Sequence, residues 1–155
     1  MLMLRWDNSV GAARLQQDPV LGALKEDESL ETPVLLSIFT DVEASEAEIK
    51  IAGLDRQQGW WADADSMRDP QNRRWGSKLW LLSRGKTVLE TLRRVEQYVK
   101  DSLLWMVDAR MVATITVTAS RPSPGIVAID LTLTRPNKLQ PAYKRLWEVR
   151  TDIFL

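Results

Sequence analysis

An α+β domain, with a mainly antiparallel sheet packed on one long helix, is what the sequence predicts, and three observations carry the prediction. The first is the longest helical pattern in the chain, Val88 to Arg110, in which Val88, Leu89, Leu92, Val95, Val99, Leu103, Met106 and Val107 share one face at 100° per residue. The second is a pair of alternating stretches, Met111 to Thr118 and Ile126 to Arg135, separated by Arg-Pro-Ser-Pro-Gly at 121–125. The third is length: 155 residues are enough for one domain with one modest core. We read residues 1–155 as a single unit, with an irregular arm at 1–32, a core at 33–135 and a tail at 136–155.

In chain order, the arm is polar and turn-rich (Asp7, Asn8, Gly11, Asp18, Pro19, Gly22), with one short extended piece at Leu2–Trp6 and a charge cluster at Lys25–Glu31 that belongs in solvent. Pro33–Thr40, PVLLSIFT, is apolar on both faces and rich in β-branched and aromatic side chains, which predicts a strand inside the sheet or beneath a partner. Glu43–Ile49 is rich in good helix formers and ends before Gly53, so a short helix is expected there. Leu54–Trp75 is a stretch of turn residues and charge that holds Trp60, Trp61 and Trp75. So long a loop in a small domain tends to serve a function. The Trp60 and Trp61 rings either cap the core or dock into a neighbouring chain.

Thr87 and Glu90 have the spacing of a capping box, so the long helix should start near Val88. Glu96 intrudes on its apolar stripe, and is also placed to pair with Lys100 four residues on. Tyr98 and Trp105, seven residues apart, form a second seam, which packs either within the chain or on a partner. In the hairpin that follows, Ala113, Ile115 and Val117 face the same way as Val127, Ile129, Leu131 and Leu133. The tail from Ala142 is an edge strand or a short helix. The spacing of Tyr143, Leu146 and Trp147 leans towards helix, and the apolar terminus Ile153–Leu155 has a possible docking use.

Composition narrows the chemistry. Lys plus Arg equals Asp plus Glu at 21 each, so no global field draws the chain to nucleic acid, although Arg73 and Arg74 form a small basic patch. There is no histidine and no cysteine, which removes the commonest general base, the commonest metal ligands and thiol nucleophiles. No apolar run approaches a membrane span and no secretory signal is visible at the start. A soluble protein of a cytoplasm, without cofactor or metal, is expected. Asp63 and Asp65 are the best carboxylate pair on paper, but turn-forming aspartates explain them better than a glycosidase pair. Gly85-Lys86-Thr87 lacks the upstream glycine of a phosphate loop. Asp108-Ala109-Arg110 closes the long helix, where the arginine either meets the orphaned carbonyls or pairs with a carboxylate of another chain. The seven tryptophans in so short a chain favour an assembly component, because tryptophan is enriched at binding hot spots.

LETPVLLSIFTD at Leu30–Asp41, DRQQGWWAD at Asp55–Asp63 and WGSKLWLLSRGK at Trp75–Lys86, together with the helix and its Asp108–Arg110 end, resemble the tail-baseplate family of phage Mu. That family is related to the baseplate wedge proteins of contractile-tailed phages, which include the sheath initiator of T-even phages. The resemblance spans nearly the whole chain. It implies a wedge- or sheath-initiator-like fold and a non-enzymatic part of the virion tail baseplate, assembled in the host cytoplasm. It also implies hetero-oligomeric contacts, in multiple copies, with other wedge proteins, the tail sheath protein and the tail tube or hub, and none with nucleic acid or membrane. The contact residues expected on that basis are Asp108, Arg110, Trp60, Trp61, Tyr98, Trp105 and Trp147, with the hairpin and the tail after Pro141 as strands to exchange. In the wider superfamily the helix–strand junction reads Glu-Pro-Arg; here Ala109 replaces the proline, and Ala62 replaces the second glycine of the tryptophan loop. Some relatives carry a lysozyme-like designation, so a peptidoglycan-cleaving enzyme is one alternative function and a tail assembly chaperone absent from the virion is another.

Overall fold

The computed structural model describes residues 2–18, 20, 22, 29–60, 74–84, 88–137 and 140–150. Along the chain come β1 (Leu4–Asp7), β2 (Ala12–Leu15), α1 (Glu31–Phe39), α2 (Glu46–Ala52), a 3₁₀ helix (Leu79–Arg84), α3 (Val88–Asp108), β3 (Thr114–Ser123), β4 (Ile126–Thr134) and β5 (Pro141–Arg150). β1 and β2 form a separate antiparallel hairpin, and β3, β4 and β5 form an antiparallel sheet in that order. The α+β expectation holds.

Alternation along the three-stranded sheet separates its faces. The cross-strand rows Ile115–Leu133–Tyr143, Val117–Leu131–Arg145 and Ala119–Ile129–Trp147 share one face, while Thr116–Thr132–Lys144 and Thr118–Asp130–Leu146 share the other. The first face carries the fully buried Ile129, Leu131, Leu133 and Trp147, and joins Val95, Val99, Leu103 and Met106 of α3 and Val34, Leu35 and Ile38 of α1 in one core. The second face is polar, with Thr116, Thr118, Lys144 and Glu148 exposed.

The segment predicted as a buried strand, Pro33–Thr40, is instead most of α1. A short run that is apolar on every side fits a fully buried helix as well as an inner strand, so periodicity could not separate the two. Pro33 is compatible with the helix because it sits in the first turn, where a backbone N–H has no intrahelical acceptor. Seven of the nine α1 residues, Glu31 to Leu35 with Ser37 and Ile38, are buried.

Two further expectations change. Residues 4–15 of the arm form a hairpin: the Asp7 carbonyl accepts from Gly11 N–H at 2.9 Å to turn β1 into β2, and Gly11 takes a left-handed φ of 64°. Trp6 fastens this hairpin to the core by stacking on Phe39 at 4.2 Å, and Leu4 N–H donates to Thr32 Oγ1 at 2.9 Å. The tail leans away from helix and pairs along β4 as β5, with Tyr143, Trp147 and Val149 on the core side of the sheet. There the two-residue period satisfies the backbone against β4 and buries the same aromatic residues that a helical spacing had grouped.

α3 follows its predicted stripe from Leu92 on, but Leu89 is 64% exposed. Glu96 does not serve Lys100: its Oε1 accepts the backbone N–H of Ala119 in β3 at 2.9 Å. The predicted turn at 121–125 shortens to Pro124–Gly125, because β3 continues to Ser123 through a register shift after Ser120. Proline at 122 is tolerated there, since an irregular, edge position needs no ladder donor. Ala113, expected on the buried face, is exposed.

The short helix predicted at Glu43–Ile49 is α2, which lies further along at Glu46–Ala52. Ser45 and Glu48 make a reciprocal capping box at its start, and Gly53 closes it at φ 70°. Glu48 also accepts from Lys78 Nζ at 2.7 Å, tying α2 to the segment before the 3₁₀ helix. Ser77 completes the connection. Its N–H donates to Thr40 O at 2.8 Å, its carbonyl accepts from Val42 N–H at 3.1 Å, and its Oγ donates to Ile38 O at 2.6 Å. Gly76 permits this approach: at φ 122°, a Cβ would lie 2.4 Å from Thr40 O.

Two outcomes are expected. Gly76→Ala should lower unfolding free energy by roughly 3 kcal/mol, read from denaturant midpoints, because the added methyl meets backbone at a φ suited only to glycine. The Lys78 hydrogen bond, followed by the Ser45 backbone N–H, holds the Glu48 carboxyl at about 2 against an ordinary 4.5. A depressed carboxyl stabilises the fold above its unfolded value and loses that contribution as pH falls through the folded one. Glu48→Gln, which keeps the cap geometry, should therefore be less stable than wild type near neutrality, with the gap closing between pH 4.5 and about 2. The effect should be modest, because the carboxyl side chain is 34% exposed.

Candidate partner-binding surfaces

The helix–strand corner at Asp108–Arg110 is built by the backbone. Arg110 N–H donates to Val107 O at 2.9 Å and Met111 N–H donates to Met106 O at 2.9 Å, the paired bonds of a Schellman motif. The residue that turns the chain in such a motif is left-handed and most often glycine; here it is Arg110, at φ 57°. Asp108 and Arg110 are both exposed. Among the described residues, the Arg110 guanidinium has no hydrogen-bond or ion-pair partner, so the orphaned carbonyls are capped by main-chain N–H groups and not by the side chain. The charge is presented outward from a corner whose backbone would accept glycine more readily.

The aromatic residues expected at contacts divide differently. Trp147 is fully buried in the core, against Phe39 at 6.0 Å and Tyr143 at 6.3 Å, so its ring serves the chain's own packing. Trp105 packs on Trp75 at 4.5 Å and its Nε1–H donates to Ser37 Oγ at 2.9 Å. Tyr98 bridges the main core and the small cluster of Ala44, Ile49, Trp80 and Leu81, and partial burial raises its pKa. The seam of Tyr98 and Trp105 is thus used inside the chain, since α1, the 3₁₀ helix and the Trp75 segment all reach that side of α3. Trp60 remains 39% exposed. Trp61, Asp63, Asp65, Arg73, Gly85-Lys86-Thr87, the Lys25–Glu28 part of the charge cluster and Ile153–Leu155 lie outside the described residues.

The two margins of the sheet are unlike. At β3, the Ala119 N–H that does not serve β4 is taken by Glu96 of α3. The ten-residue β5 pairs along one side with β4, through every residue but Ala142, and no further described strand lies beyond it. Its solvent-side residues include Lys144, Leu146 (53% exposed) and Glu148. One tether reaches β5 from the helical layer: Arg145 Nη2 lies 3.5 Å from Glu31 Oε1 at the start of α1. An edge strand of this length carries a row of main-chain donors and acceptors suited to another strand.

Glu96 and the Gly76–Ser77 seat were not singled out as structural determinants from sequence. A lone acid within an apolar stripe and a Gly-Ser pair before an apolar run were the available signals. Among the described residues, no group of three or more Asp or Glu is arranged to hold a metal ion, and no helix is long and apolar enough to cross a membrane.

The corner predicts an unusual mutational sign. Arg110→Gly should raise stability by up to about 1 kcal/mol, measured by denaturant unfolding, because glycine carries no Cβ penalty at positive φ. A clear loss would instead mean that the guanidinium itself holds the corner.

Comparison with known sequences agrees with the arrangement of stretches along the chain. The profile of a family described as "Phage protein GP46" matches residues 30–140, from the residue preceding α1 to the residue preceding β5. The baseplate protein gp46 of Escherichia phage Mu is 37% identical over 136 residues, covering 88% of each chain. The Mu-like prophage FluMu protein gp46 of Haemophilus influenzae is 31% identical over 140 residues, covering 88% of this chain and 87% of its own. With a profile spanning both the helical layer and two strands of the sheet, and relatives aligned over nearly their full length, the chain belongs to the Mu-like phage GP46 family of which a baseplate protein is a member.

Proposed function

We propose that this chain is a structural, non-enzymatic component of a contractile phage-tail baseplate, located in the virion and assembled with other tail proteins in the bacterial host. The kinship with a protein named for the Mu baseplate supports the coarse reading. The finer reading is that the chain joins wedge proteins and initiates sheath assembly. The observation that favours it is the ten-residue β5, paired on one side only among the described strands. Main-chain hydrogen bonds along that margin would supply affinity for a strand of a sheath or wedge protein, while alternate side chains such as Lys144, Leu146 and Glu148 would set register. Asp108 and Arg110, exposed at the end of α3, would add charge-assisted contacts to the same assembly.

This reading accounts for an absence of histidine and cysteine, which an assembly role does not require. A cell-wall hydrolase would turn over purified peptidoglycan, and an assembly chaperone would be missing from finished particles. The expected results are no turnover, and recovery of the chain by mass spectrometry from intact tails. Leu146→Glu should leave the melting temperature within a few degrees of wild type, because the residue is 53% exposed, while reducing co-purification with sheath protein about tenfold. Unchanged co-purification would remove β5 from the contact.

A further inference from the structure

One cleft beside the β1–β2 hairpin has no role in the contacts described above. It is a cleft of about 320 Å³ between the hairpin, the C-terminal turn of α1 and the 3₁₀ helix. Trp6, Phe39, Leu79 and Trp80 give it an apolar, largely aromatic wall. Trp6 is held by stacking on Phe39, and Trp80 by donating Nε1–H to Val42 O at 2.9 Å, so these rings are fixed in place.

One acid lines the same cleft. Asp41 is solvent-reachable, yet its carboxyl is partly withdrawn from water, which raises its pKa. Among the described residues, no lysine or arginine forms an ion pair with it. Arg56 meets it only through an amide: with the Gln58 NH₂ turned toward Asp41, it donates to Oδ2 at 3.2 Å, and the Gln58 oxygen accepts from Arg56 Nη2 at 2.8 Å and Nε at 3.1 Å.

An apolar wall with a carboxylate at its mouth fits a side chain that is apolar along its stem and cationic at its tip. A neutral apolar side chain would fill the space but leave the carboxylate poorly solvated, and an acidic one would be repelled. A basic side chain satisfies both parts, its methylenes against Trp6 and Phe39 and its head on Asp41, with ring faces adding cation–π attraction. We propose that this cleft receives a lysine or arginine side chain presented by a neighbouring tail protein. The partner's identity as a tail protein rests on the baseplate reading; the chemistry of the cleft does not.

The test uses n-butylguanidinium and n-butylammonium as probes, with n-butanol as the neutral control, at constant ionic strength. Both cations should produce saturable shifts of the Trp6 and Trp80 indole N–H resonances in the wild-type chain, and butanol should bind at least about tenfold more weakly. Asp41→Asn should weaken cation binding by a similar factor and leave butanol binding unchanged, and the dispersion of the same spectra reports that the variant is folded. Equal binding of butanol and the cations, no saturable shift, or cation binding unaffected by Asp41→Asn would overturn the proposal. Particle composition separates the two readings. A chain present in tails but indifferent to the cations keeps its baseplate role and loses this site; a chain that binds the cations through Asp41 but is absent from tails does the reverse.

Discussion

The fold depends on how Ser77 closes the end of α1. A helix C-terminus leaves carbonyls without intrahelical partners, and burying them uncapped is costly. Here the Ile38 carbonyl accepts from Ser77 Oγ and the Thr40 carbonyl from Ser77 N–H, while Ser77 itself accepts from Val42 and Leu79 N–H groups. One serine, admitted by the missing side chain of Gly76, thereby joins the stretch Ile38–Val42 at the end of α1 to a segment far along the chain, at the start of the 3₁₀ helix. It sets the start of the 3₁₀ helix, which packs beside both α2 and α3. The aromatic contacts follow from that placement: Trp80 reaches Val42, and Trp75 reaches Trp105.

With the helical layer so placed, the two sheet margins acquire different fates. α3 lies along β3 and lends it Glu96, a charged acceptor for a strand-edge donor in a region that is otherwise apolar. β5 receives the Arg145–Glu31 tether on its inner face and nothing from a further described strand at its margin. The asymmetry gives the sheet one margin engaged by its own helix and one suited to strand addition. The outward-facing Asp108 and Arg110 are set at the opposite end of the helical stripe from the exposed Leu89, where a left-handed arginine turns α3 into the sheet.

These features describe a part made to be surrounded. The rings that hold the interior together are committed to internal contacts, and what remains outward is strand backbone, an acid and a guanidinium at a corner, and an aromatic cleft with a carboxylate. The membership in the Mu-like GP46 family, which includes a baseplate protein, gives these surfaces a setting.

The sequence by itself determined what repeats locally. The span of α3, the β3–β4 hairpin and the Gly53 stop of α2 were legible because periodicity, turn chemistry and a helix-ending glycine act within a few residues. The family was legible too, from Leu30–Asp41, Asp55–Asp63 and Trp75–Lys86. Only the tertiary structure decided that Pro33–Phe39 is helical, because a short run that is apolar throughout has no period to read, and that Pro141–Arg150 is a strand, because β4 offered the pairing. It also decided which tryptophans are spent inside the chain, and it gave Glu96 a strand donor in place of Lys100. Those outcomes depend on groups from different elements meeting at contact distance, and a linear pattern carries no distance between its ends.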